Sequence, residues 1–288
     1  MSWYLSGLST AVFALVSLVP GVAWIFGGVP AAPETIRRTL SWPAGTTSRV
    51  LELSNINGSV RIVADDRADV AVTATRTVER QDDASDPGPA VEFRQASDRL
   101  LVCGDGRHCG CHLDRDDNWR GDRRRRETRV RVEFEVRVPR NTTLDVCTVN
   151  GGTLRVEGTE APFTLRNVNG SLEMVGVKGA GRASTVNGRL DASFTAAPDG
   201  PTSFRTVNGR IDVTLPSTLS ADLRLKTMNG ALFTDFETVA LPAKAATVEQ
   251  HDGRRVYRMD RYAAVRVARG GPELTFETLN GDVQIRKR

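Results

Sequence analysis

One tripeptide, Val-Asn-Gly or a close variant, recurs seven times along the 288 residues of this chain. The copies fall at Asn57-Gly58, Asn150-Gly151, Asn169-Gly170, Asn187-Gly188, Asn208-Gly209, Asn229-Gly230 and Asn280-Gly281. Two places before each turn asparagine stands a Thr or Asn: Asn55, Thr148, Asn167, Thr185, Thr206, Thr227 and Thr278. The five copies from Asn150 to Asn229 are spaced by 19, 18, 21 and 21 residues. Self-similarity at about twenty residues marks a repeat architecture, in which neighbouring units share one continuous core. Such proteins work through an extended surface more often than through a cleft.

The residues around each Asn-Gly share a period of two. Apolar side chains fall six and four places before the asparagine, as in Leu51/Leu53, Leu144/Val146, Phe163/Leu165, Leu223/Leu225 and Leu274/Phe276. Ala183 is the small exception. Apolar residues recur after the glycine at Val60/Ile62, Leu172/Met174, Leu190/Ala192, Ile211/Val213 and Val283/Ile285. This alternation predicts strands with one buried face. Asn-Gly is expected to supply the positive φ angles of a tight turn. The copy at Asn150 carries one extra residue, Gly152, which a local bulge would absorb.

Two all-β architectures satisfy this pattern. Asn-Gly between alternating strands signals hairpins, hence an antiparallel stacked sheet or meander. In a parallel β-solenoid, each repeat is instead one coil and the Asn-Gly its recurring corner. A hairpin gives no reason to repeat the Thr. In a solenoid the Thr column stacks in register, and the turn asparagines form a ladder of amide hydrogen bonds. Outside the repeats, strands are expected at Asp69–Arg76, Val91–Arg94, Leu100–Cys103 and Thr128–Val138. The motif span argues for one repeat body over residues 34–288, with atypical units at its ends to cover open edges.

From about Glu34 to Arg288 the chain resembles the bacterial "putative adhesin" β-strand-repeat family, also called the toast-rack domain. The matching phrases are Leu53-Ser-Asn-Ile-Asn-Gly-Ser-Val-Arg-Ile62, Val132-Glu-Phe-Glu-Val-Arg-Val-Pro139, Ile211-Asp-Val-Thr-Leu-Pro216 and the serial Thr-Val-Asn-Gly turns. The resemblance implies a right-handed β-helical or stacked-sheet domain of the bacterial envelope, tied to surface attachment or to envelope-stress sensing through a partner. It transfers no catalytic residues. The insert at residues 103–129 is not part of that motif.

Residues 1–33 read as a signal peptide or an N-terminal membrane anchor. No charged side chain precedes Glu34, and Leu8–Val29 is long enough to span a bilayer. Val29-Pro-Ala31 offers a small-residue cleavage site, whereas the uncharged start and the apolar stretch Val22–Phe26 favour retention. Either way the expected location is exported, in the periplasm or at the envelope surface, and membrane-associated if the segment is kept.

Four cysteines, Cys103, Cys109, Cys111 and Cys147, agree with export, where an even count normally means disulfides. Strand parity turns Cys147 outward, next to the inward Val146. A Cys109–Cys111 bridge would strain the geometry, so Cys147 is expected to bond one of them and Cys103 the other. The metal alternative takes Cys103, His108, Cys109, Cys111 and His112 as zinc ligands, but the paired C-x-x-C knuckles of a strong zinc site are absent. No cofactor is expected. Further along the insert, Trp119 and the run Arg123, Arg124, Arg125 and Arg126 form a candidate contact for anionic ligands. Its counter-reading is a solvated loop neutralised by Asp114, Asp116, Asp117, Asp122 and Glu127. In an exported protein the fitting partners are an anionic envelope polymer, lipid head groups or another envelope protein; no nucleic acid is expected.

The chain is expected not to be an enzyme. A carbohydrate-active β-helix would need converging carboxylates. Asp191 and Asp212 occupy equivalent places in neighbouring repeats, roughly 4.8 Å apart as strands stack, near the separation of a retaining glycosidase pair. Arg61, Glu173 and Gln284 fill the same place elsewhere, which reads as ordinary outward decoration.

Overall fold

The alternating runs become strands in the computed structural model, which describes residues 32–80, 88, 90–104, 111, 128–242, 247–251, 254–258 and 262–288. The first group is β1 (Glu34–Leu40), β2 (Val50–Asn57), β3 (Val60–Asp65), β4 (Val70–Arg80), β5 (Glu92–Gln95), β6 (Arg99–Cys103) and β7 (Arg129–Pro139). The repeats supply β8 (Thr143–Asn150), β9 (Leu154–Glu157), β10 (Phe163–Asn167), β11 (Leu172–Val177), β12 (Gly181–Ser184), β13 (Leu190–Phe194), β14 (Thr202–Arg205) and β15 (Ile211–Leu215). Then come β16 (Ala221–Lys226), β17 (Leu232–Thr234), β18 (Thr238–Ala240), β19 (Thr247–His251), β20 (Arg254–Arg258), β21 (Ala263–Val267), β22 (Glu273–Glu277) and β23 (Val283–Lys287). The expected strands in the region before the repeats are therefore all present, three of them within a residue at each end and β4 running four residues past the expected Arg76. Among the described residues there is no helix, and so none long and apolar enough to cross a membrane. The strands belong to one unit, Ala31–Arg288. The segment up to residue 31, and with it the choice between signal peptide and anchor, lies outside the described residues.

Two large mixed sheets hold nearly all the strands. The 10-stranded sheet A runs β1-β4-β7-β3-β9-β11-β13-β15-β23-β17. The 11-stranded sheet B runs β18-β21-β16-β22-β14-β12-β10-β8-β2-β6-β5. The two strands flanking each Asn-Gly lie in different sheets, so the motif closes no hairpin. Each strand instead pairs in parallel with its equivalent in the next repeat, as Phe163↔Leu144 and Leu190↔Ile211 show. Antiparallel strands lie at the ends: β1 and β4 beside β7, β5 beside β6, and β21 and β18 beside β16.

The core lies between the sheets and is filled by the inward positions. Leu51, Leu53, Leu144, Val146, Leu165, Phe204, Leu274 and Phe276 from sheet B are fully buried, as are Ile62, Leu154, Leu172, Leu190, Ile211, Val283 and Ile285 from sheet A. The repeat with the small residues Ala183 and Ala192 carries buried Leu190 and also buried Phe194, whose ring packs edge-on to Phe204 at 5.9 Å. Phe276 stacks on the other side of Phe204 at 5.2 Å.

Spatial order departs from chain order at both ends. The first repeat, β2/β3, is flanked by β6/β7 on one side and by β8/β9 on the other. The last repeat, β22/β23, enters between β14/β15 and β16/β17. The β6/β7 pair is a further rung whose corner, in place of Asn-Gly, is the insert between Cys103 and Arg129.

Candidate binding surface

The corner column is built from three residue types with separate tasks. The turn asparagines form a ladder: Asn169 donates to Asn150 at 2.8 Å, Asn187 to Asn169 at 2.9 Å and Asn208 to Asn187 at 2.8 Å. Asn280 then donates to Asn208, and Asn229 to Asn280, both at 2.7 Å. Asn57 departs from the column, its amide reaching the Val130 carbonyl at 3.4 Å. Beneath the ladder the hydroxyls of Thr185, Thr206, Thr227 and Thr278 donate to the corner glycine carbonyl of the adjoining rung at 2.8–3.0 Å, whereas the buried Thr148 hydroxyl makes no hydrogen bond among the described residues. Each such bond contributes about 1 kcal/mol net.

The glycines bear out the turn expectation in part: Gly58, Gly170 and Gly281 take positive φ, at 118°, 149° and 146°. None of the turn asparagines has a positive φ, and among the described residues Ala268 is the non-glycine residue that does, at 52°. Gly151, Gly188, Gly209 and Gly230 do not have positive φ either. Their requirement is closeness: a Cβ on Gly188 would run into the Gly170 carbonyl, and one on Gly209 into that of Gly188. The extra residue Gly152 takes the left-handed conformation, φ +75°, which accommodates the one-residue bulge. Between Thr and Asn the same corner shows an apolar column, with Val149, Val168, Val186, Val207 and Leu279 each 37–38% exposed.

The outward face of sheet A is a ladder of ion pairs. Arg155 bridges Glu157 and Glu173, Arg189 bridges Glu173 and Asp191, and Arg286 meets Asp212 at 3.0 Å. Hydrogen bonds from Arg189 and Arg155 hold the Glu173 carboxyl below its usual value against its burial. Burial pushes the Asp191 carboxyl up, opposed by Arg189 and Arg210. Asp191 and Asp212 are cross-strand neighbours, as their spacing predicts, but each carboxylate is engaged with arginine. These side chains line a depression of about 510 Å³.

Sheet B carries the staple. Cys111 is bonded to Cys147, with Cα atoms 5.5 Å apart, well inside the usual range. Cys147 points outward from β8 as parity requires. The Cys111 amide donates to the Glu52 carboxylate at 2.9 Å, which also receives Arg99 at 2.6 Å. Glu52, Ser54 and Cys103 are outward positions, yet only 6%, 6% and 1% exposed, so this end of the face is covered. Cys103 is also disulfide-bonded. A thiolate is what zinc binds, so Cys103 and Cys111 are removed from the candidate ligand set. His108, Cys109, His112, Trp119 and Arg123–Arg126 lie outside the described residues. The bridge points to an oxidising, exported location.

Replacing Cys111 and Cys147 together by serine opens a link across 36 residues of sequence. The expected cost is about 2–4 kcal/mol, read as a lower urea midpoint with unchanged slope, and with faster amide exchange in β6.

No family model matches the chain, and no curated protein matches it. Among solved structures it is similar to the crystal structure of a "putative cell adhesion protein" from Clostridium sporogenes ATCC 15579, at 13% identity and a TM-score of 0.47. That alignment covers 89% of this chain and 100% of the other.

Proposed function

We propose that this chain is an exported cell-envelope protein whose residues 34–288 form a right-handed parallel β-solenoid of roughly 20-residue repeats. It acts as a non-catalytic binding and structural module of the adhesin-type, toast-rack kind. Residues 1–33 direct export and hold the protein at the membrane if retained. The carrying observation is the insert. It replaces the corner of one rung and is stapled by Cys111–Cys147 onto the outward face of sheet B. The Cys111–Cys147 bond ties the insert covalently to β8, which reduces the freedom a partner must remove on binding. The partner is an anionic envelope polymer met by Arg123–Arg126 and Trp119. The engagement of Asp191 and Asp212 with arginines supports the non-catalytic reading, because a carboxylate held in an ion pair is a poor nucleophile or proton donor.

The test is co-sedimentation of the purified chain with isolated envelope material. Changing Arg123–Arg126 to glutamine should weaken binding about tenfold or more, since surface charge drives such association and salt screens it. Unchanged binding would remove the insert as the contact.

A further inference from the structure

Outward positions on sheet B follow a pattern that sheet A does not share. On sheet A each of the ladder arginines meets a carboxylate. On sheet B the rungs β12 and β14 present Arg182 with Ser184, and Ser203 with Arg205, so these two rungs supply no acid of their own. Ser203 pairs across to Arg182 on one side and to Thr275 on the other, while Ser184 pairs to Arg205. The two arginines therefore sit diagonally, one strand spacing apart along the stack, with hydroxyls between them. Together with Thr202, Pro201 and Glu273 they line a depression of about 460 Å³.

The charges here are not compensated as they are on the opposite face. Arg182 is exposed and makes no hydrogen bond or ion pair among the described residues, nor do the hydroxyls of Ser203 and Thr275. Arg205 is 3.5 Å from Glu277, but that carboxylate already receives Lys226 at 2.7 Å and the Tyr262 hydroxyl at 2.6 Å. Arg205 is thus the most distant claimant on a carboxylate with two closer partners, and its side chain stays 58% exposed. Guanidinium groups flanked by free hydroxyl donors are suited to the oxygens of a carboxylate or phosphate, which arginine engages through paired N–H donors.

We infer that the depression over β12, β14 and β22 is an anion subsite for the oxyanion groups of an acidic polysaccharide, held by Arg182 and Arg205 with Ser203 and Thr275; the Ser184 hydroxyl is directed to the Leu165 carbonyl at 3.5 Å. The inference rests on the binding reading above and adds a second contact on the face that carries the Cys147 staple. β12 lies two strands from β8 in sheet B, about 10 Å along the stack, so a single polymer chain can span the subsite and the Cys111–Cys147 staple. A slender polymer is favoured over a lipid surface for two reasons. Among the described residues none of the exposed large apolar side chains lines this depression. Glu273 at the lining also repels a dense anionic plane.

The experiment uses the full chain with three probes: polygalacturonate for carboxylates, polyglycerol phosphate for phosphodiesters, and vesicles of phosphatidylglycerol in phosphatidylcholine. Arg182→Gln with Arg205→Gln should weaken polymer binding about tenfold or more, each lost contact being charge-assisted. The matched pair Arg61→Gln with Arg210→Gln, on the sheet A side, should change it by less than about twofold if contact and not net charge decides. Equal loss in both pairs, no loss in the first, or binding to vesicles in preference to polymers overturns the subsite. Loss confined to the Arg123–Arg126 variant also overturns it, while leaving the binding reading intact. A wild-type chain that binds neither polymer refutes both.

Discussion

Ending the chain after Arg269 is expected to cost two rungs, not one. The residues removed include β22 and β23, which occupy the slot between β14/β15 and β16/β17. Among the described residues β23 is the ladder partner of β17, and β22 is one of the two strands beside β16. The loss also removes Leu274, Phe276, Val283 and Ile285, all fully buried. At about 1.5–3 kcal/mol per side chain, that is a large share of the 5–15 kcal/mol typical of a whole domain. Repeat stacks lose stability rung by rung through neighbour contacts, so β8 to β15 should remain folded. Hydrogen exchange should show Ala221–Thr234 unprotected in the truncated chain while Phe163–Phe194 keeps its protection, with β14 and β15 left as the new edge because amides such as Ile211 donate to the removed repeat. Full protection over Ala221–Lys226 would mean that this rung has moved into the vacated slot, and that the inserted repeat does not hold it in place.

The second large effect is expected at the corner. Gly281 has φ +146°, and a Cβ there would run into the Gly209 carbonyl. Gly281→Ala therefore combines backbone strain of about 1–3 kcal/mol with overpacking of about 1–3 kcal/mol, and neither is relieved by a rotamer change. Gly152 is the contrast: its φ is +75°, but nothing lies within 4 Å of the added Cβ. Gly152→Ala should cost only the left-handed penalty, about 1–2 kcal/mol. Urea unfolding of the two variants separates close approach from conformational freedom. Equal midpoints would show that the carbonyl contact is not what requires glycine.

Much of the fold was legible because the relevant signals are local. Period-two alternation located the strands and told inward Val146 from outward Cys147. The recurring Thr had no use in a hairpin, and in four of the repeats it does donate to the neighbouring corner carbonyl. The role of glycine was legible only in part, because close approach between rungs depends on residues about twenty places away, whereas positive φ is a property of one residue. The subsite on sheet B was half legible: the outward residues of β12 and β14 contain no acid, but that Arg205 is the most distant of three claimants on Glu277 depends on Lys226 and Tyr262 arriving from other strands.

By itself the sequence determined the all-β class, the inward and outward positions of the repeat strands, and the outward cysteine that anchors the insert; it offered the corner with its amide ladder beside a hairpin turn. Only the tertiary structure decided the order of the rungs. Every repeat presents the same apolar pattern and the same Asn-Gly, so the pattern says which side chains are buried but not which rung lies next. That choice fell to long-range pairing and core volume: the first repeat took β6/β7 on its outer side, and the last repeat came to lie between two earlier ones, stacking Phe276 on Phe204.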